Sequence, residues 1–234
     1  MSSYFKNQVV VVTGATKGIG RATAIAFARE GASVVATGRT REALDSVSET
    51  IKGLGSKVVS VQADLSKEES IEKITKTALG EFGHVDVLKL VFKVNLLSSV
   101  LLTKALLPNM ITRKYGKIVN ISSIGGRRGG KGRSAYRMTK AALINFTESI
   151  AAEVNLHGIS VNCICPGGTD TQGFRSAFNA RSAEKNKYLM KPEEISDLIL
   201  FLTSEKASSI TGASIDAYGQ TKPIFFPDPS MGKV

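Results

Sequence analysis

The stretch V-V-V-V-T-G-A-T-K-G-I-G-R-A-T-A, Val9 to Ala24, decides the fold. Val9 to Val12 form an unbroken β-branched run, the pattern of a strand buried on both faces of a parallel sheet. Three glycines follow within Thr13 to Gly20, and Arg21 to Arg29 continue as an alanine-rich helix. Strand, glycine loop and helix in that order place backbone N–H groups and a helix N-terminus against a phosphate. Gly14 permits the tight turn, Gly18 lets the backbone approach a pyrophosphate, and Gly20 lets helix and strand pack closely. The spacing is G-x-x-x-G-x-G, which differs from the G-x-G-x-x-G of the general dinucleotide fingerprint.

Working outward, strands and helices alternate along the chain, the mark of a parallel sheet covered by helices on both faces. Strands are expected at Gln8–Thr13, Ser33–Thr37, Lys57–Gln62, from Val85 to Leu88, at Gly116–Ser122, Ile159–Cys165 and Ser214–Ala217. Helices are expected at about Arg41–Leu54, Lys67–Phe82, Val94–Ile111, Ser134–Leu156 and Pro192–Thr203. The fold class is therefore α/β, a Rossmann-like doubly wound sheet, with residues 1–221 as one domain and residues 222–234 as a C-terminal tail. The 234 residues suit one such domain with a full core.

Composition narrows the function classes. Hydrophobic residues make up 42% and charged residues 22%, as in ordinary globular proteins. No apolar run reaches the ~18 residues of a membrane span. No secretory leader pattern opens the chain, so an intracellular, cytoplasmic protein is expected. Cys163 and Cys165 are the two cysteines; they point the same way from one strand and read as buried thiols in a reducing compartment, and two cysteines make no zinc site. The net charge of +11 is high, but the cations are scattered. The one basic cluster, Arg127 to Arg133, lacks the aromatics that stack bases, so a nucleic-acid partner is not expected and a solvated loop is.

The second informative stretch is S-A-Y-R-M-T-K, Ser134 to Lys140. Tyr136 and Lys140 are four residues apart and share a helix face. Free tyrosine titrates near ~10 and free lysine near ~10.4. An adjacent ammonium favours the phenolate and moves the tyrosine toward neutrality, which suits general acid–base work.

The combination of T-G-A-T-K-G-I-G with a serine, Ser123, thirteen residues before the tyrosine of Y-x-x-x-K resembles the short-chain dehydrogenases/reductases (SDR family) over about Lys6 to Gly219. The resemblance implies catalytic roles for Asn95, Ser123, Tyr136 and Lys140, with Ser122 the competing serine. It implies cofactor contacts from Gly14, Thr16, Lys17, Gly18, Ile19, Gly20, Arg39, Thr40, Asp64, Leu65, Tyr136, Lys140, Pro166, Gly167, Thr169 and Thr171. Read from the residues alone, Asp64 equally suits the cap of the following helix, and Asn95 the cap of its own. Strand two ends Ala36-Thr37-Gly38-Arg39, with no acid to take a ribose 2′-hydroxyl and with Arg39 and Lys17 as two cations for a 2′-phosphate. NADP(H) is therefore the expected cofactor, and a small carbonyl or alcohol compound the expected substrate. The aromatics Phe174, Phe178 and Tyr188 between Thr171 and Lys191 suggest that this compound is apolar. The family pairs its two long helices across a two-fold axis, so a homodimer or homotetramer is expected.

One departure from the family stands out. Leu88 is followed by K-L-V-F-K-V-N, where relatives carry an Asn-Asn-Ala-Gly turn and a loop, a segment of roughly twenty residues by the spacing of a βαβ unit. Two readings stand: a true deletion, or residues left out of the sequence. A deletion favours the alternative function, a catalytically weak dinucleotide-binding protein. Smaller departures are a short segment before Pro192 and Tyr218-Gly219-Gln220 where Asp-Gly-Gly is usual.

Overall fold

The structure, a computed structural model, describes residues 4–90, 95–129, 133–178 and 188–219. Its elements are β1 (Val9–Val12), α1 (Gly18–Arg29), β2 (Ser33–Gly38), α2 (Arg41–Gly53), β3 (Val58–Gln62), α3 (Glu68–Phe82), β4 (Val87–Leu90), α4 (Asn95–Arg113), β5 (Gly116–Ile121), α5 (Ser134–Val154), β6 (Ile159–Pro166), α6 (Gln172–Phe178), α7 (Pro192–Thr203) and β7 (Ser214–Ala217). The seven strands form one parallel sheet in the order β3-β2-β1-β4-β5-β6-β7. Strand order reverses between β1 and β4, and in open α/β sheets the crevice at that reversal is where ligands bind.

Both sheet faces are buried, as the valine run of β1 requires. Val10 and Val12 face one way, with Phe27 of α1, Leu44 of α2 and Ile199 of α7. Val9 and Val11 face the other, with Ile74 of α3, Leu106 of α4 and Val154 of α5. Period-two alternation thus serves two hydrophobic layers rather than one core and one wet face.

Three sequence expectations shift. The first helix begins at Gly18, three residues before Arg21, so the last two glycines of the loop belong to the helix itself. The fourth strand begins at Val87 rather than Val85 and runs on to Leu90, beyond Leu88, pairing with β5 along its whole length and with β1 over Val87 to Lys89. Gln172–Phe178, for which no helix was expected, forms one, started by Thr171 Oγ1 accepting the Phe174 N–H at 3.1 Å. Leu90 and Asn95, the ends of β4 and α4, have four residues between them.

Candidate active site

The glycine loop is built as its sequence suggests. Gly14 and Gly18 have φ of +63° and +54°, values that glycine adopts at little cost. A Cβ on Gly20 would lie 2.0 Å from the Gly14 carbonyl oxygen, so only glycine fits between helix and turn. No side chain caps α1 at Lys17, which leaves the first N–H groups of the helix for another acceptor. Thr16 packs under Gly38 of β2. Ile19 is half-buried against the core beside α1.

The two cations expected to act together part company. Arg39 is exposed at the end of β2 and its carbonyl accepts from Gln62 Nε2 at 3.0 Å. Lys17 Nζ turns to the other side of the loop and donates to Gln172 Oε1 at 3.0 Å. Next to it, a Cβ on Gly18 would meet Thr171 Cγ2 at 3.1 Å, so the glycine loop and the segment after β6 approach each other closely. Thr40 stands before α2 as its exposed N-cap residue without a side-chain capping bond. Asp64 Oδ1 accepts from Ser66 N at 3.0 Å and Ser66 Oγ at 2.8 Å. These bonds, with a smaller part from Arg39, hold its carboxyl below the usual range. That geometry closes a turn ahead of α3 and does not cap it: the N-cap residue is Lys67, without a side-chain capping bond, and Leu65 beside Asp64 is half-buried.

The segment after β6 is firmly set. Pro166 ends the strand, the Gly167 N–H donates to Ala217 O at 2.8 Å, and Thr169 bridges to Met190. Thr169 is buried, with its hydroxyl 3.4 Å from Gly167 O. Cys163 and Cys165 are both free and buried on the face toward Ile144 of α5, as expected of strand thiols.

The serine, tyrosine and lysine converge where β5 gives way to α5. Ser122 Oγ is buried and donates to the Lys140 carbonyl at 2.8 Å. Ser123 is half-buried, and its Oγ accepts the Gly125 N–H at 3.1 Å. A methyl group at Gly125 would lie 3.4 Å from Tyr136 Cε1 and 3.5 Å from Ser123 Oγ, so the two side chains border the same small space. Geometry thus separates the serines: Ser122 faces inward to the helix backbone and Ser123 faces the tyrosine.

Tyr136 is 44% exposed and Lys140 is 3% exposed. Lys140 Nζ lies 5.8 Å from the Tyr136 ring centre and donates to the Ile121 carbonyl at 2.8 Å. Burial pulls the Lys140 pKa down to about 7. Lys140 therefore titrates near neutral pH, which the i,i+4 spacing alone does not reveal. The side chain of Asn95, at the first position of α4, lies outside the described residues, as do residues 130–132 of the basic cluster and the side chain of Phe178. Phe174 is half-buried, and Tyr188 is 52% exposed.

Sequence reasoning missed two features. Arg127, next after the turn that follows Ser123, donates from Nε to Asp216 Oδ1 of β7 at 2.7 Å and also bonds the Ser214 carbonyl. Asp216 takes the Tyr218 hydroxyl on its other oxygen at 3.1 Å. This network ties the serine loop to the last strand. The other feature is Lys89 of β4, wholly buried and with no hydrogen-bond partner for Nζ among the described residues; its one outward sign was a lysine inside an apolar strand.

With this geometry in place, comparison with known proteins is decisive for the family. The profile described as short chain dehydrogenase matches residues 8–90, and the one described as enoyl-(acyl carrier protein) reductase matches residues 88–219. The chain belongs to the short-chain dehydrogenase/reductase family of oxidoreductases. A dehydrogenase/reductase SDR family member 6 from Danio rerio is 34% identical over 89% of this chain and 94% of its own length. A 3-oxoacyl-(acyl-carrier-protein) reductase from Aquifex aeolicus is 35% identical over 94% of this chain and 99% of its own. The structure of L-sorbose reductase from Gluconobacter frateurii, complexed with NADPH and L-sorbose, superposes with a TM-score of 0.86 at 25% identity, covering 94% of this chain and 98% of that one. The Danio match spans 240 aligned residues, more than the 234 of the entire chain. That relative therefore carries stretches without a counterpart here, and the two family profiles meet at residues 88–90, where the expected turn is missing.

Proposed function

We propose that the protein is an NADP(H)-dependent oxidoreductase that interconverts a carbonyl compound and an alcohol. The observation that carries this reading is the meeting of Ser123, Tyr136 and Lys140 at the end of β5. Tyr136 stands exposed above a buried Lys140 and shares its space with Ser123 Oγ. The glycine loop, the uncapped start of α1 and the exposed cation Arg39 suit a phosphorylated dinucleotide.

In the reductive direction Ser123 Oγ donates a hydrogen bond to the substrate carbonyl oxygen. Tyr136 hands its phenolic proton to that oxygen as negative charge develops there. Lys140 in its charged form stabilises the resulting phenolate and would also hold the ribose hydroxyls of a bound cofactor. The bound nicotinamide supplies the hydride. Gly167, Thr169 and Thr171 form the wall beyond β6, and Gly14, Thr16, Gly18, Ile19 and Gly20 the cradle. Arg39 favours a 2′-phosphate at the end of β2, which has no carboxylate to repel one. Apolar side chains on the outer faces of α4 and α5, among them Val100, Leu107, Phe146 and Ile150, line a shared groove, which supports pairing of these helices in a homodimer or in a homotetramer of dimers.

Tyr136→Phe is the direct test. Single-turnover reduction of a ketone panel should slow by ~10²–10⁴-fold while NADPH affinity stays within a factor of two. Retention of more than a tenth of the native rate would move the proton to another group. The missing segment after β4 favours a second reading, a dinucleotide-binding protein with weak catalysis. That reading is preferred if the native protein binds NADPH yet turns over no carbonyl compound tried.

A further inference from the structure

The turn that follows Ser123 is loose by composition and fixed by its surroundings. Ile124, Gly125 and Gly126 form a short 3-10 turn, and two adjacent glycines give it little stiffness of its own. Its neighbours hold it. Gly126 lies directly on α5, where a Cβ would come within 2.7 Å of the Lys140 carbonyl carbon. Just beyond, the Arg128 carbonyl accepts from Arg137 Nη1 of α5 at 3.0 Å. Arg127 spans β6 to reach β7, where Nε donates to Asp216 Oδ1 at 2.7 Å and Nη2 to the Ser214 carbonyl.

Among the described residues of the basic cluster, Arg127 alone turns inward, and Arg128 and Arg133 are exposed. The Arg127 and Asp216 side chains are 24% and 22% exposed, so water screens this pair less than it screens a surface ion pair. A guanidinium is the group that fits here. Its planar fork serves a carboxylate and a carbonyl together, which an ammonium does not match.

The anchored turn in turn sets the Ser123 hydroxyl. Ser123 Oγ accepts the Gly125 N–H at 3.1 Å, and the Ser123 carbonyl accepts the Gly126 N–H at 2.8 Å. With Oγ accepting from the turn, its proton is left for another acceptor. The space beside Gly125 is bordered by Ser123 Oγ and Tyr136 Cε1. Displacing the turn moves Gly125, and with it the bond that orients the serine.

We propose that Arg127 is a positioning residue for Ser123: by pinning the end of the glycine turn to β7, it holds the serine hydroxyl where the substrate carbonyl oxygen arrives. The proposal rests on the catalytic reading above, in which Ser123 donates to that oxygen. Arg127 acts through the turn, so its worth to the reaction depends on the serine being there.

Single-turnover ketone reduction at saturating NADPH, in the native protein, Ser123→Ala, Arg127→Ala and the double variant, tests the assignment. Ser123→Ala should slow the step ~10²–10³-fold, as loss of an oxyanion donor does. Arg127→Ala should slow it about 10- to 100-fold, as a misplaced group does, with NADPH affinity kept within about twofold. Once Ser123 is alanine, removing Arg127 should cost no more than about twofold further, because residues that act through one another do not add. Added guanidinium should restore part of the rate in Arg127→Ala and none in the double variant. Arg127→Lys keeps a cation beside Asp216 and so guards the fold. It should slow the step several-fold when Ser123 is present and leave it unchanged when Ser123 is alanine, and it decides the matter if Arg127→Ala does not fold. Equal losses with and without Ser123 would mean that Arg127 serves the fold alone; that result, or a native rate in Arg127→Ala, overturns the proposal and leaves the catalytic reading in place. A Ser123→Ala protein as fast as the native one, or a native protein that reduces no ketone, removes the catalytic reading itself.

Discussion

Replacing Lys140 by methionine should make the cofactor-free protein more stable, and by an amount that depends on pH. Lysine in the unfolded chain titrates near ~10.4, whereas burial behind α5 brings Lys140 to about 7 in the folded state. Between those values the unfolded chain binds a proton that the native protein refuses, so native stability falls as pH falls. The loss begins near pH 10.4, grows at ~1.4 kcal/mol per pH unit and levels off below pH 7, at about 5 kcal/mol in all. About 3 kcal/mol of it develops between pH 9.5 and pH 7. Methionine carries no such linkage, and its loss of the bond to Ile121 O is a constant offset. Chemical denaturation of both proteins at pH 9.5, 8 and 7 should show the variant gaining ~3 kcal/mol on the native protein across the series. In thermal melts that is ~6–12 °C for a chain of this size. Other titrating groups, Lys89 included, cancel in the comparison. A difference that stays constant with pH would mean that Lys140 keeps its charge in the folded state, and the account of its burial would fall.

Two further outcomes follow from the site and its surroundings. Arg39→Asp should invert the cofactor preference from NADPH to NADH by more than tenfold in titration, since it places a carboxylate where a 2′-phosphate would sit; equal affinities in the native protein would refute the role given to Arg39. Light scattering at micromolar concentration should give a dimer or tetramer, and Leu107→Glu on the outer face of α4 should shift it toward monomer with catalysis per chain reduced less than assembly; a native monomer would refute the pairing of α4 and α5.

Much of the fold could be read directly, because two periodicities were unmistakable. The valines of β1 announced a strand covered on both sides, and the glycines after it left one sensible way to enter α1. The start of that helix was misplaced because glycine is a poor helix former; here Gly18 and Gly20 are held by close approach to Thr171 and to the Gly14 carbonyl, tertiary contacts that no local propensity encodes. α6 was hidden because seven residues carry too little periodicity to stand out, and its cap, Thr171, had been assigned to the cofactor. Within the site, the spacing of Tyr136 and Lys140 was legible but the depth of Lys140 was not. Lys89 was harder still. Lysine in a sequence speaks for solvent, and only the pairing of β4 on both sides shows that this one has none.

The short passage from Leu90 to Asn95 makes the junction of β4 and α4 a natural port for insertion. Restoring about twenty residues there would cost only ~1–2 kcal/mol in chain-closure entropy, a small charge on a domain held by two hydrophobic layers. Folding and ligand capture can therefore be varied separately in this chain. Loops grafted from relatives at that single point would turn the protein into a scaffold for measuring, segment by segment, what the wall of a nucleotide cleft contributes.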